Sequence, residues 1–236
     1  MPEGAIERSE IEAALAGTTD DPVRFDRLVR YVVALLDRNA ATNLTAARTP
    51  AAAAEHVRDA LELLPFVSGP LVDVGSGGGF PAVPLAIVAG LEATLVEATG
   101  KKARFLSDVV AELGLAIRVR PGRAEDAARR PELRAAFASA TARAVGSVPT
   151  VLELTVPFLK VGGVAVLQRG RFEPAERAAA HDAALVLGVT LEREILARDG
   201  GDRRVLIFRK TEPTGQRFPR RAGIPAQRPL CVSGVP

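Results

Sequence analysis

The chain predicts an α/β fold, a doubly wound and mostly parallel sheet with helices on both faces, and three observations predict it. From Leu71 onward, short apolar runs alternate with segments of helical periodicity. The first of these runs, 71–74, ends in the turn Gly75-Ser76-Gly77-Gly78-Gly79. A strand that passes through glycines into a helix lets backbone crowd against a nucleotide-like ligand. Near the end, two further apolar runs flank Asp199-Gly200-Gly201-Asp202, which is hairpin chemistry and predicts an antiparallel pair at the sheet edge.

The elements follow in order. Asp21-Pro22 reads as an N-cap and first helical residue, after which Phe25, Leu28, Val29, Val32, Leu35 and Leu36 recur at helical spacing. A second helix is expected over 51–64, so that residues 1–65 form a helical extension. The core domain, 66–210, then alternates strand 71–74, helix 80–89, strand 92–97, helix 101–113 closed by Gly114, and strand 115–119. A short helix 124–130, strand 138–142, helix 147–158, strand 161–168 and helix 174–187 continue it, and strands 189–196 and 203–209 make the hairpin. Seven strands result. The tail, 211–236, carries five prolines and is expected to be extended, either as a solubilising end or as a strap facing RNA.

Composition narrows the function. With 236 residues and 47% hydrophobic content, the chain can bury one sizeable core. No apolar run approaches the ~18 residues of a membrane span, and Met1-Pro2-Glu3-Gly4 lacks the blocks of a signal peptide, so a cytoplasmic location and no membrane partner are expected. Cys231 is the single cysteine, and His56 and His181 are the only histidines, which leaves neither a disulfide nor a metal site to expect. The net charge of +3 points weakly to a polyanionic partner, because an arginine-rich, Ala- and Gly-rich composition accounts for it equally well.

In a doubly wound sheet, ligands bind beyond the carboxyl ends of the strands, near the switch in strand order. Asp73 and the glycines follow strand one; a lone glycine would be an ordinary turn, but Asp73-x-Gly75-x-Gly77-x-Gly79 is a frame. Glu97 closes strand two, where an acid accepts hydrogen bonds from a ribose. Gly122-Arg123-Ala124-Glu125 follows strand three, where backbone and carboxylate can meet an adenine edge or merely cap a helix. Strand four ends in Thr141-Ala142-Arg143-Ala144, without the Asn-Pro-Pro-aromatic turn of exocyclic-amine methylation or the cysteine nucleophile of pyrimidine carbon-5 methylation. A ring nitrogen such as N7 of guanine has a lone pair and no proton to lose, so its methylation needs orientation and no general base. Arg143 suits that task, since its rigid fork can hold a purine edge or a carboxylate, although a structural ion pair would use it as well.

The Asp73 to Gly79 frame resembles the first motif of class I S-adenosylmethionine-dependent methyltransferases, whose seven-stranded Rossmann-like sheet ends in such a hairpin. More specifically, the chain resembles the RsmG (GidB) family of 16S ribosomal RNA guanine-N7 methyltransferases. Asn43-Leu44-Thr45, His56-x-x-Asp59, the loop from Asp73 to Pro81, Lys101-Lys102-x-Arg104-Phe105-Leu106, Arg123-Ala124-Glu125, Arg143-Ala144 and the tail 218–225 carry the resemblance, which spans about residues 40–230. It implies that S-adenosylmethionine contacts Gly75, Phe80, Ala124, Glu125 and Arg143. Asp73, Gly77, Gly79 and Glu97 join that cofactor set from the motif reading. The implied partner is 16S ribosomal RNA or the small ribosomal subunit, approached by a monomer across the helical extension, with Asn43, His56, Asp59, Lys101, Lys102, Arg104, Arg123, Arg169, Arg220 and Arg221 toward the RNA. Two residues depart from the family pattern: Arg169 stands where lysine is usual, and Ala60 follows Asp59 where serine is frequent. Lys101, Lys102 and Arg104 crowd a helix N-terminus against the macrodipole, which costs about 0.3–1 kcal/mol each at an exposed site and marks an anionic partner unless the side chains snorkel into water.

Rival classes are less well served. An NAD-dependent oxidoreductase would want Tyr, Lys or His near strands four and five, and the single tyrosine, Tyr31, lies in the helical extension. A small-molecule methyltransferase would want an aromatic pocket, and only 4% of the chain is aromatic. A nucleoside-holding regulator without catalysis would have no use for both the cofactor motif and Arg143.

Overall fold

Residues 8–143, 145–196 and 201–231 are described in the computed structural model. Three helices come first. α1 (Arg8–Leu15), which periodicity did not anticipate, is two turns long and buries Ile11 and Leu15, four residues apart, against α2 (Pro22–Thr42) and α3 (Pro50–Leu61). So short a helix has little stability alone and forms because it packs. α2 starts as predicted: Asp21 accepts from the Val23 and Arg24 amides at 2.9 and 3.1 Å, with Pro22 behind it. It stops at Asn43, which takes the left-handed conformation (φ 55°) and donates its amide to the Asn39 carbonyl. α3 is capped by Thr49 and ends earlier than predicted, its last turn tightening into a 3₁₀ segment, Leu64–Phe66.

The alternating core is β1 (Leu71–Val74), α4 (Ala82–Ala89), β2 (Ala93–Glu97), α5 (Gly100–Glu112), β3 (Ile117–Pro121), α6 (Ala124–Ala127), β4 (Phe137–Arg143), α7 (Val148–Thr155), β5 (Leu159–Arg169), α8 (Pro174–Leu187), β6 (Val189–Leu196) and β7 (Arg204–Lys210). Boundaries move where local chemistry intervenes. β3 begins two residues late because Gly114 turns left-handed and the Leu115 amide returns to the Val110 carbonyl. α7 passes into a 3₁₀ turn at Val156–Phe158, where Pro157 has no amide to continue the helix. All seven strands form one sheet of order β3-β2-β1-β4-β5-β7-β6, parallel except that β7 runs antiparallel to both neighbours. The hairpin is therefore as expected, although its turn residues Asp199 and Gly200, like Ala144, lie outside the described residues.

The strand order reverses between β1 and β4, where Val74 stands beside Ala142. The next residue of each strand, Gly75 and Arg143, therefore opens onto the same crevice. One apolar cluster joins α1, α2 and α3 to α4, α5 and one sheet face; a second lies between the other face and α6, α7 and α8. The N-terminal helices share the first cluster and are built into the core. Among the described residues, no helix is long and apolar enough to cross a membrane.

The tail is neither extended nor free. It includes a short helix, α9 (Ile224–Gln227), and buries Phe218. Arg134 donates to the carbonyls of Thr214, Gly215 and Phe218 at 3.0, 3.1 and 2.8 Å, and Arg129 to that of Pro219 at 2.5 Å. Arg220, expected to face RNA, instead grips Glu153 of α7: its Nη2 and Nε donate to the carboxylate at 2.6 and 2.9 Å, and its amide at 2.7 Å. Glu153 is fully buried, so its charge requires this partner.

Removing one half of such a pair strands the other charge. Arg220→Ala is expected to lower unfolding stability by about 3–5 kcal/mol. Urea denaturation checks it, and a loss below 1 kcal/mol would mean that water reaches Glu153.

Candidate active site

The glycine loop is shaped by three anchors. Beneath it, the Gly75 amide donates to the Val96 carbonyl at 2.8 Å, tying the end of β1 to β2. On one side the Glu97 carboxylate accepts the Gly77 amide at 2.8 Å and the Thr99 amide at 2.7 Å. On the other, the Tyr31 hydroxyl donates to the Gly78 carbonyl at 2.8 Å from within α2. Gly79 shows why the frame demands glycine: its φ is +106°, and a Cβ there would lie 2.7 Å from Val83 Cγ2 and 3.0 Å from the Tyr31 oxygen. At Gly75, φ is +71° and the backbone borders the crevice directly.

A second loop closes over the first. Asn39, buried in the last turn of α2, accepts the Leu44 and Thr45 amides at 2.7 and 3.0 Å and donates to the Thr45 and Ala47 carbonyls at 3.0 and 2.7 Å. Its amide satisfies four backbone groups, and the loop it folds brings the Leu44 carbonyl toward Gly78. The Asn43-Leu44-Thr45 motif is legible in sequence, but its organiser stands four residues earlier. Asn43 itself caps α2, and its side-chain oxygen accepts from Arg48 at 3.0 Å.

Between the loops lies a cavity of about 590 Å³, within the ~300–1,000 Å³ range of small-molecule sites. The sequence-predicted residues Gly75, Gly77, Phe80, His56, Asp59, Lys102, Arg143 and Arg169 line it, together with Gln168, Arg203 and Arg204 from the ends of β5 and β7. Phe80 is its buried floor, met edge-on by Tyr31 at 5.6 Å and by His56 at 5.5 Å. The Arg143 guanidinium lies 4.8 Å from the ring centroid and has no hydrogen bond or ion pair among the described residues. Burial pulls its pKa below the ordinary arginine value, opposed by the fields of Tyr31, Asp59 and Asp73. Five donors with no partner among the described residues, half-buried against an aromatic face, suit a ligand acceptor.

Other predicted residues stand elsewhere. Asp73 is fully buried beneath the loop: one carboxylate oxygen accepts from Thr141 at 2.7 Å, and the other has no partner. Burial, with Glu97 nearby, pushes its pKa up to about 7 against the pull of Thr141, Ser76 and Arg143. Asp73 thus supports the loop and does not line the cavity, and the same holds for Gly79. Ala124 and Glu125 open α6 beyond β3. The Glu125 carboxylate accepts from the Gly223 amide of the tail at 2.8 Å and from Arg123 at 3.1 Å, and these bonds hold its pKa below the usual range although burial alone would raise it. Arg169, expected to meet RNA, borders the cavity but spends its guanidinium on the protein: it donates to the Gly146 carbonyl at 2.7 Å and to Glu176 at 2.7 Å, and Glu176 in turn accepts the first amide of α7. Lys101, Arg104 and Arg221 are exposed, away from the cavity.

The family model of GidB, rRNA small subunit methyltransferase G, matches residues 24–205. The chain is 39% identical to the ribosomal RNA small subunit methyltransferase G of Chloroflexus aggregans over 96% of its own length and 99% of that protein's. It is 41% identical to the same enzyme of Rubrobacter xylanophilus over 76% of this chain and 74% of the relative. Among solved structures it shares its fold with the mitomycin 7-O-methyltransferase MmcR, at 14% identity and a TM-score of 0.54, covering 88% of this chain and 74% of the other.

The Asp73 carboxyl carries a pH signature. Its folded pKa exceeds the unfolded value of 3.8, so its contribution is fully present below about pH 4 and is lost as pH rises through about 7. Wild-type protein is expected to lose stability between pH 5 and pH 8 relative to Asp73→Asn, which has nothing to ionise. Urea midpoints at both pH values check this; parallel behaviour of the two proteins would place the Asp73 titration outside that window.

Proposed function

The chain belongs to the rRNA small subunit methyltransferase G (GidB) family, and on that premise we propose that it transfers a methyl group from S-adenosylmethionine to N7 of a guanine in 16S ribosomal RNA, in the decoding-region loop of the small subunit. The observation that carries the reading is the Arg143 guanidinium, without a hydrogen bond or ion pair among the described residues, which shares the cavity with the glycine loop at the reversal in strand order. Residues at the ends of β1, β2 and β3 fit the donor. Glu97 uses each carboxylate oxygen once, toward Gly77 and Thr99, and retains lone pairs for ribose hydroxyls. Gly75 and Gly77 let backbone approach the ligand, and Ala124 with Glu125 lies at the end of β3 for the adenine. Bound S-adenosylmethionine supplies a methyl group on a sulfonium, activated toward a nucleophile and leaving a neutral thioether.

The protein's part is orientation. Guanine N7 attacks with its own lone pair, so no side chain must take a proton from it. Arg143, fixed over Phe80, aligns the reactants by holding the methionine carboxylate, which is the acceptor its fork matches. Keeping that cation on the donor also spares the base, which becomes positive as its N7 is alkylated. The Leu44–Ala46 loop and Phe80 exclude water and keep the reacting atoms at near-attack distance. Lys101, Arg104 and Arg221, exposed cations, serve the phosphates, with Lys102 at the cavity wall. On this reading a single copy of the chain works in the cytoplasm on the small subunit's RNA.

Small ribosomal subunits from cells lacking the enzyme, incubated with labelled methyl donor and mapped for 7-methylguanosine, test the assignment; label on another atom or on no RNA would overturn it. Gly75→Asp is expected to abolish donor binding in calorimetry. Arg143→Ala is expected to lower kcat/KM by about 100-fold with an unchanged melting temperature, as misplacement of bound reactants does. Full activity in either variant would remove that residue from the site.

A further inference from the structure

Asp59 is out of character with its surroundings. The cavity wall it shares is dominated by cations, as befits a site for a polyanion, yet its carboxylate faces into that cavity from α3 with 14% of its side chain exposed. It is held from three sides. Arg203 pairs with Oδ2, His56 Nδ1 stands 3.9 Å from the same oxygen, and the Gln168 side chain donates to the Asp59 carbonyl at 2.7 Å, tying α3 to the end of β5. Burial alone would raise its pKa, but His56 and Arg203 prevail and hold it below the ordinary value, so the group is ionised at neutral pH. Both side-chain contacts fall on Oδ2, and Oδ1 has no partner among the described residues. Glu62, the residue after α3, lines the same cavity without such support among the described residues.

A fixed carboxylate in a basic cavity repels phosphate and has one chemical use toward a nucleobase, which is to accept hydrogen bonds. Guanine alone among the four RNA bases presents two adjacent donors, N1–H and the 2-amino group, on the edge opposite N7. With N7 toward the bound donor, the opposite edge of the base can reach the α3 residues that line the same cavity. We propose that Asp59 is the guanine-selecting residue, accepting from N1–H and the 2-amino group while Arg203 and Gln168 fix its position. This rests on the N7 reading above and deepens it. It also adds to the rate: methylation at N7 makes the base cationic, so hydrogen bonds to an anion strengthen as the new bond forms. The contribution therefore appears in kcat as well as in KM.

The test removes one donor from the base. Subunits are reconstituted with 16S RNA carrying inosine, which lacks only the 2-amino group, at the mapped guanine. Wild-type enzyme is expected to methylate the inosine substrate with kcat/KM lowered roughly 10- to 100-fold, as for loss of one hydrogen bond to a charged group. Asp59→Asn is expected to lose a similar factor on guanosine while binding S-adenosylmethionine with unchanged affinity in calorimetry, and to treat inosine and guanosine alike. Equal rates of wild-type enzyme on the two substrates would overturn the proposal, even if the variant failed to fold. So would an Asp59→Asn enzyme that keeps the wild-type preference, since a merely structural Asp59–Arg203 pair would leave that preference intact. Lack of methylation of guanosine subunits by wild-type enzyme fails the N7 reading itself, and is seen before inosine is introduced.

Discussion

The site depends on one constraint, the pinning of a short glycine loop from both sides by polar groups that are themselves buried or nearly so. Glu97 pulls on the Gly77 amide from β2, and Tyr31 pulls on the Gly78 carbonyl from α2. Neither group can relax without exposing a backbone partner to an apolar surrounding, which costs about 1–3 kcal/mol for each unsatisfied group. Tyr31 is wholly buried, and burial drives its hydroxyl pKa above the ordinary tyrosine value, so it is a neutral donor at neutral pH. The loop's shape is thereby made independent of whatever occupies the crevice. A pre-shaped loop spares a ligand the ordering cost of creating it.

This arrangement explains why the helical extension belongs to the active site. α2 sends Tyr31 under the loop and Asn39 into the covering turn, and α3 sends His56 and Asp59 into the cavity. The helices share an apolar cluster with α4 and α5, so the walls of the cavity are fixed relative to the sheet by core packing. The ends of the sheet strands and the extension line the same crevice.

Legibility in the sequence follows the range of the interactions. The alternation of strands and helices, the cap at Asp21 and the left-handed end at Gly114 are local or periodic effects, and the chain spells them out. The loop was readable because Asp73-x-Gly75-x-Gly77-x-Gly79 puts positive φ where only glycine is at ease. Asn39 and Tyr31 were not readable as site residues, since each sits on a buried helical stripe whose spacing says only that it is buried. For Asn39 there was a signal: an amide on an apolar stripe must find partners, and a turn follows within one helical pitch. α1 escaped notice because two turns with one apolar pair barely exceed chance periodicity.

Charge was the least legible property. Arg169 and Arg220 read as RNA contacts because they are cations at positions of the family motifs, yet each serves a carboxylate that the fold has buried or half-buried, Glu176 and Glu153. Arg129 and Arg134 do similar work on the carbonyls of the tail. A tail without regular ladders has carbonyls to satisfy, and a guanidinium with five donors reaches several at once, whereas an ammonium acts as a compact point charge. Arginine can therefore accumulate in this chain for reasons of folding, and the net charge of +3 overstates what is free to meet a polyanion. The informative charges are those whose positions contradict their neighbours: a cation over Phe80 with no ion pair among the described residues, and an anion set among cations on α3.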